Sequence, residues 1–234
     1  MIRGIYSATS GLITASEHHD IISINLANIN TPSFREIQMS FSEAGSVALG
    51  NELSGVKSET IWHKNEIGGF IQTGRSLDLA ITESDRYFLL LSNDGQLISR
   101  YGHFTIRPDG LLVDPNGFLL LGNSGPIRVP SEINDITVTD NGTVIVDGEE
   151  VDRIRIVTPV NNNVVTRIGS VIYKPNDELS IRNANSRIMQ GYLETSNIKI
   201  NDMIIKMILG NRYYEVIQKT IRLITDVIQL NTKA

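Results

Sequence analysis

Residues 196–234, SNIKINDMIIKMILGNRYYEVIQKTIRLITDVIQLNTKA, carry the pattern that decides the fold. With Ile200 at heptad position a, Met207, Tyr214, Ile221 and Ile228 recur at a, while Met203, Ile217 and Ile224 fall at d. A sustained period of 3.5 marks a helix that seeks a partner along its length. Gly210 and Asn231 also fall at d, giving the seam a thin spot and a frayed end. The other end of the chain repeats the device. Met1, Ala8, Ala15, Ile22 and Ile29 share one heptad position, and Ile5, Leu12, His19 and Leu26 share the facing one. Two such ends around a different middle predict that the ends meet as a coiled-coil-like pair.

Met1 to Asn28 reads as an amphipathic helix with Ile2, Ile5, Leu12, Ile22 and Leu26 on its apolar side. Asn28, Asn30, Thr31 and Pro32 end it, since proline cannot continue the hydrogen-bond ladder and restricts the residue before it. Asn25, Asn28 and Asn30 crowd that end. Singly they are caps; together they offer amides suited to a specific interface. Residues 34–68 show weak periodicity and read as an extended connector with room for a strand or two.

From Gly69 the period becomes two. Leu77 to Ile81 alternates, and Tyr87 to Leu91 reads as a buried strand. Turn signals recur at Asn93-Asp94-Gly95, Pro108-Asp109-Gly110, Asn116-Gly117, Asn141-Gly142 and Asp147-Gly148. Such pairs supply the positive φ angles of tight hairpins. The spacing predicts a mainly antiparallel all-β domain of about ten short strands. Ser196 or Asn197 is placed to cap the last helix, and Asp202 suits its first turn. The expected layout is an α+β chain: helix 1–33, connector 34–68, all-β domain 69–195 and helix 196–234. Without βαβ alternation there is no doubly wound sheet.

At 234 residues, 41% hydrophobic and 20% charged, the chain has an ordinary folded composition. A formal charge of -5 with scattered Lys and Arg gives no basic field for nucleic acid. The absence of cysteine excludes disulfides, thiolate metal sites and thiol catalysis. No run of about eighteen apolar residues occurs, so no transmembrane helix is expected. Ser7, Thr9, Ser10, Thr14 and Glu17 interrupt any apolar leader core, so no cleaved signal peptide is expected.

Motifs for chemistry are weak. Gly69 to Ser76 lies one residue from a phosphate-binding loop, but Arg75 stands at the lysine and a strand pattern follows where a helix N-terminus is needed. A glycine-flanked strand entry is the better reading. His18 and His19 are helical neighbours pointing about 100° apart, which favours packing over ligation. His63 and His103 are isolated in sequence. The Asp-Gly turns lack the alternating ligands of a calcium loop. The residues therefore point to no catalytic, cofactor or metal site and to no enzyme. A ligand-binding β domain with a coiled-coil oligomerisation device is the competing class, and a closed oligomer of fixed size would favour it.

Longer runs carry a resemblance. Tyr6-Ser7-Ala8-Thr9-Ser10-Gly11-Leu12, then Asn25-Leu26-Ala27-Asn28-Ile29-Asn30-Thr31-Pro32-Ser33-Phe34-Arg35, resembles the signature of bacterial flagellar basal-body rod and hook proteins. Gln190 to Ile198, continuing through Met203, Met207-Ile208 and Arg212-Tyr213-Tyr214-Glu215, resembles the second signature. Thr73 to Ile81, Arg100 to Phe104 and Asp109 to Val113 match the middle in the same order. Ser33 stands where the family usually has glycine, Ile24 where a second asparagine is usual, and Tyr213 and Ile217 where alanine and asparagine are usual. Asp85 to Phe88 lacks the glycines typical there.

The resemblance implies a structural subunit of the basal-body rod, part of the axial shaft between motor and hook. It implies export through the flagellar type III apparatus without signal cleavage. It also implies polymerisation with copies of itself and other axial proteins, the paired terminal helices forming an inner domain. The short chain and compact connector favour a proximal rod protein, with a distal rod or hook-type protein as the alternative. The expected assembly interface comprises Ile5, Leu12, Ile22, Leu26, Asn25, Asn28 and Asn30 on the first helix. On the last helix it comprises Ile200, Met203, Met207, Tyr214, Ile217, Ile221, Ile224 and Ile228.

Overall fold

A computed structural model describes residues 2–46, 53–130, 134–160, 165–177 and 180–232. The chain forms two compact units: Met1–Ile29, Glu36–Lys64 and Ile198–Ala234 in one, Asn30–Arg35 and Asn65–Asn197 in the other.

The first unit holds helix α1 (Ile2–Ala27), strands β1 (Ile37–Ser46) and β2 (Leu53–His63), and helix α2 (Ile200–Thr232). The stretch read as a connector is a long antiparallel hairpin running from Ile37↔His63 to Ser46↔Leu53, with a bulge between Met39 and Phe41. It packs against α1. Phe41, Val56, Ile61 and Trp62 nevertheless stay exposed. Among the described side chains of the hairpin none is buried, so the apolar-polar alternation that betrays a strand is weakly imposed on its sequence. Asn25 fixes where the hairpin starts. Its buried amide donates to the Ile37 carbonyl and accepts from the Ile37 amide, both at 2.8 Å.

The last helix begins at Ile200, two or three residues later than a cap at Asn197 or Ser196 predicts. Asn197 works elsewhere. Its amide reaches the Phe34 carbonyl at 3.3 Å, and its Nδ2 donates to the Glu66 carbonyl at 3.0 Å. These bonds tie Asn197 to Phe34 and Glu66, and the helix starts three residues beyond it.

The second unit is antiparallel β throughout, with sixteen strands among its described residues where about ten were expected from turn spacing. Its largest sheet centres on β5 (Tyr87–Ser92), which pairs with β6 (Gly95–Ser99), β9 (Leu119–Leu120) and β13 (Ile156–Pro159). From β6 it extends through β15 (Ile172–Pro175) to β14 (Val165–Arg167), and from β9 through β8 (Leu112–Val113) to β7 (Thr105–Ile106). Strand β16 (Ile181–Ala184) adds to β13. A three-stranded sheet is formed by β10 (Ile136–Val138), β11 (Thr143–Val146) and β12 (Glu149–Arg153). Two short ladders pair β4 (Leu79–Ile81) with β17 (Ile188–Gln190) and β3 (Phe70–Gln72) with β18 (Tyr192–Glu194).

The predicted turns close these hairpins. Asp147 and Gly148, at φ 51° and 90°, make the two-residue connection from β11 to β12, the geometry that Asp-Gly favours. The core gathers Leu89, Ile98, Leu121, Val157 and Tyr173, and Phe88 meets Phe104 edge to face at 5.2 Å. Burial pushes the Tyr173 hydroxyl up to about 12.

A buried ionic knot ties this unit together. Arg35, Arg100 and Glu194 have side chains only 2–3% exposed. Arg100 grips Glu194 through Nε at 2.7 Å and Nη2 at 2.6 Å, while Arg35 Nη2 lies 3.7 Å away and donates to the Ser84 carbonyl at 2.8 Å. Burial, then the charge of Arg100, holds Arg35 below the usual guanidinium range. Beside the knot, Ser33 adopts φ 60°, the left-handed conformation that glycine tolerates best, and is held by bonds from its amide to the Glu194 carbonyl and its hydroxyl to the Arg100 carbonyl.

Candidate functional site

The expected interface residues lie on the helices of the first unit, and α1 and α2 run antiparallel. A Cβ placed at Gly4 would lie 3.7 Å from Ile224 Cδ1, one at Gly11 would lie 3.7 Å from Ile217 Cδ1, and one at Gly210 would lie 3.9 Å from Ile22 Cδ1. Isoleucines on each helix thus rest over glycines on the other. Gly210, a thin spot when the last helix is read alone, is the place where Ile22 fits.

On α2, Met203 is buried and Met207, Tyr214, Ile217, Ile221, Ile224 and Ile228 are half-buried, whereas Ile200 is 51% exposed. On α1, Ile22 and Asn25 are buried and Ile5, Leu12 and Leu26 half-buried. Asn25 spends its amide on Ile37, and Asn28 donates from Nδ2 to the Ile24 carbonyl at 2.8 Å, a helix-end bond. Asn30 is exposed and belongs to the second unit.

A second apolar stripe on α2 escaped the reading of the sequence. Ile205, Leu209, Tyr213, Val216, Leu223 and Val227 are each at least 50% exposed. At 100° per residue they lie roughly 120° around the helix from the inner seam. The signal was there to be found: Leu209, Val216 and Leu223 repeat every seven residues. A helix with one apolar stripe packed and another in solvent is a candidate interaction surface.

A cavity of about 480 Å³ opens among α1, α2 and the hairpin, walled by Gly11, Ala15, Phe41, Val56, Leu209 and Tyr213. His18, at its edge, packs edge-on against Phe41 at 5.6 Å. Burial, followed by Lys206 and His19, lowers the pKa of His18. Lys206 binds Glu36 at 2.7 Å. His19 bonds to the Ser23 hydroxyl. Both histidines are thus engaged in packing and hydrogen bonding.

In the second unit, the glycine-flanked stretch from Gly69 enters a strand and leads to Arg75, whose guanidinium lies 2.8 Å from the His103 ring nitrogens and 3.3 Å from Asp78. His103 Nδ1 meets the buried Asp78 carboxylate at 2.7 Å, and Tyr101 stacks on the imidazole. This cluster clasps the bridge between Asp78 and His103. Among the described residues, no group of three or more His, Asp or Glu is placed to hold a metal ion. No helix among them is long and apolar enough to cross a membrane.

Three family models match the chain. Residues 5–35 match that of the flagella basal body rod protein, residues 81–146 the flagellar hook protein FlgE/F/G D1 domain, and residues 189–229 the flagellar basal body rod FlgEFG protein C-terminal region. The chain is 30% identical to the flagellar basal-body rod protein FlgG of Bacillus subtilis, across 98% of this chain and 97% of that one. It is 29% identical to FlgG of Borreliella burgdorferi, covering 95% and 94%. It is also 29% identical to the rod protein FlgF of Caulobacter vibrioides, covering 94% and 92%.

Proposed function

The chain belongs to the flagellar basal-body rod and hook protein family, and from that premise we propose a proximal rod subunit that polymerises through its terminal helices. Its role is structural and not enzymatic: it is a basal-body rod protein assembling with other axial flagellar proteins. Export through the flagellar type III apparatus and a position in the rod where it crosses the periplasm belong to the same proposal.

The observation that carries the mechanism is the unequal treatment of the two α2 stripes. The inner seam meets α1, in the coiled-coil-like pairing we propose for the inner domain, while Leu209, Val216, Leu223 and Val227 face solvent. Fully burying each such side chain is worth roughly 1.5–3 kcal/mol. Contacts between unlike surfaces of successive copies do not close, so they propagate a tube instead of a ring.

Val216→Asp and Leu223→Asp test the outer stripe. Rods and motility should be lost, while the purified chain unfolds within about 0.5 kcal/mol of the native value, as exposed sites do. Normal rods carrying both changes would sink the assignment. Ile221→Asp, on the inner seam, should block assembly and leave the β unit folded. Electron microscopy of basal bodies from cells lacking the protein tests position: a stub ending next to the motor supports the proximal rod, and truncation further out points to the distal rod.

A further inference from the structure

The β unit holds a cleft of about 110 Å³ lined by two cations and no anion. Arg153 and Arg155 form its floor with Asn123, Asn183, Asn185 and Ser186 around them. Both arginines are half-buried and anchored at Nε, Arg153 by the Asn141 carbonyl and Arg155 by Asn183 Oδ1, each at 2.8 Å. Neither forms an ion pair with a described residue. The neighbouring acids are committed elsewhere. Asp152 accepts from the Ser124 amide at 3.1 Å, Asp140 pairs with Arg187 at 2.9 Å, and Glu83 takes the Ser186 hydroxyl. An oriented guanidinium fork without an anion fits a carboxylate.

The complementary group lies at the far end of the same hairpin. Glu149 and Glu150, directly after the Asp147-Gly148 turn, are exposed, and their side chains bond to no described residue. Asp147 itself is taken by the Asn134 and Asp135 amides. Four residues separate Glu149 from Arg153, which on a strand is about 13 Å. With the arginines turned to Asn141 and Asn183, the acidic tip and the basic cleft do not pair within one copy.

We propose that the Glu149-Glu150 tip of one copy docks in the Arg153–Arg155 cleft of the next, a head-to-tail contact between β units. The cleft has room for the end of one acidic side chain. A contact between unlike surfaces adds to an open polymer rather than capping it. This inference rests on the reading of the chain as a rod subunit.

A charge swap tests it in cells whose only copy is the variant. R153E/R155E and E149R/E150R should each reduce completed rods by at least about tenfold, because like charges then face each other. The combined four-site variant, in which every copy carries both reversals, should restore assembly. A combined variant as defective as either parent overturns the contact. Where a reversal does not fold, as read by tyrosine circular dichroism, R153Q/R155Q and E149Q/E150Q replace it. Non-additive losses support the contact, and additive losses overturn it. Full rods in a deletion strain would instead overturn the rod reading, whereas rods lost on deletion without rescue by the swap count against this contact alone.

Discussion

The helical unit and the β unit divide the chain's charge unequally. The helical unit, with its hairpin, carries nine basic and nine acidic side chains, whereas the β unit carries twelve basic and seventeen acidic. The whole net charge of -5 therefore resides on the β unit. The neutral unit exposes long apolar stripes and joins its helices through isoleucine-over-glycine contacts. The charged unit instead buries an ionic knot, and its backbone is packed so tightly that some glycines leave no room for a Cβ. A neutral, apolar-faced unit can be brought against copies of itself without electrostatic cost, while surplus charge keeps a surface solvated.

The largest effect should come from the knot. Glu194→Leu leaves Arg35 and Arg100 buried without a counter-charge, a loss of about 3–5 kcal/mol. Urea unfolding followed by the circular dichroism of the Tyr87–Tyr173 pair, 5.8 Å apart, should register it. The fluorescence of Trp62, on β2 of the other unit, should move less. Equal shifts of both signals would mean that the units do not differ in this way.

Glycine sharpens the contrast. A Cβ at Gly102 would lie 1.7 Å from the Leu79 carbonyl oxygen, so Gly102→Ala should cost about 3 kcal/mol in the tyrosine signal. At Gly11 the nearest atom would be Ile217 Cδ1 at 3.7 Å, an ordinary contact. Gly11→Ala should therefore stabilise the helical unit by about 0.5–1 kcal/mol through helix propensity. Destabilisation at Gly11 would mean that the helices cannot yield there.

The smallest effect concerns pH. Burial, Lys206 and His19 hold the His18 imidazole below the ordinary value of 6.5. The unfolded chain thus takes up that proton first as pH falls, so the stability of the helical unit should drop below about pH 6.5 until the folded pKa is passed. His18→Leu should flatten that part of the Trp62 unfolding profile, and an unchanged slope would remove His18 as its source.

The parts of the fold legible in the sequence are those that local physics imposes. The seam of α2 was readable because a helix with one packed face must repeat its apolar residues, and Met207, Tyr214, Ile221 and Ile228 do so. The β turns were readable because Asp147-Gly148 and its relatives supply backbone angles that few other pairs adopt. The hairpin β1–β2 was readable only as room for a strand or two, since its half-covered strands impose no clear alternation that would set their bounds. Of the expected interface residues, the sequence placed Met203 and Ile22 on the packed side of their helices, but its single stripe per helix hid the outer row from Ile205 to Val227.

What the sequence determined by itself is the presence of two terminal helices around an antiparallel β middle, because helical period and turn chemistry are written within a few neighbouring residues. Tertiary structure alone decided that Ile217 and Ile224 sit over Gly11 and Gly4. It alone decided that Asn25 is spent on Ile37, and that Arg35, Arg100 and Glu194 share one buried site. Those partners lie far apart along the chain, and no local preference of a residue specifies which distant group will neutralise its charge or fill the space beside it.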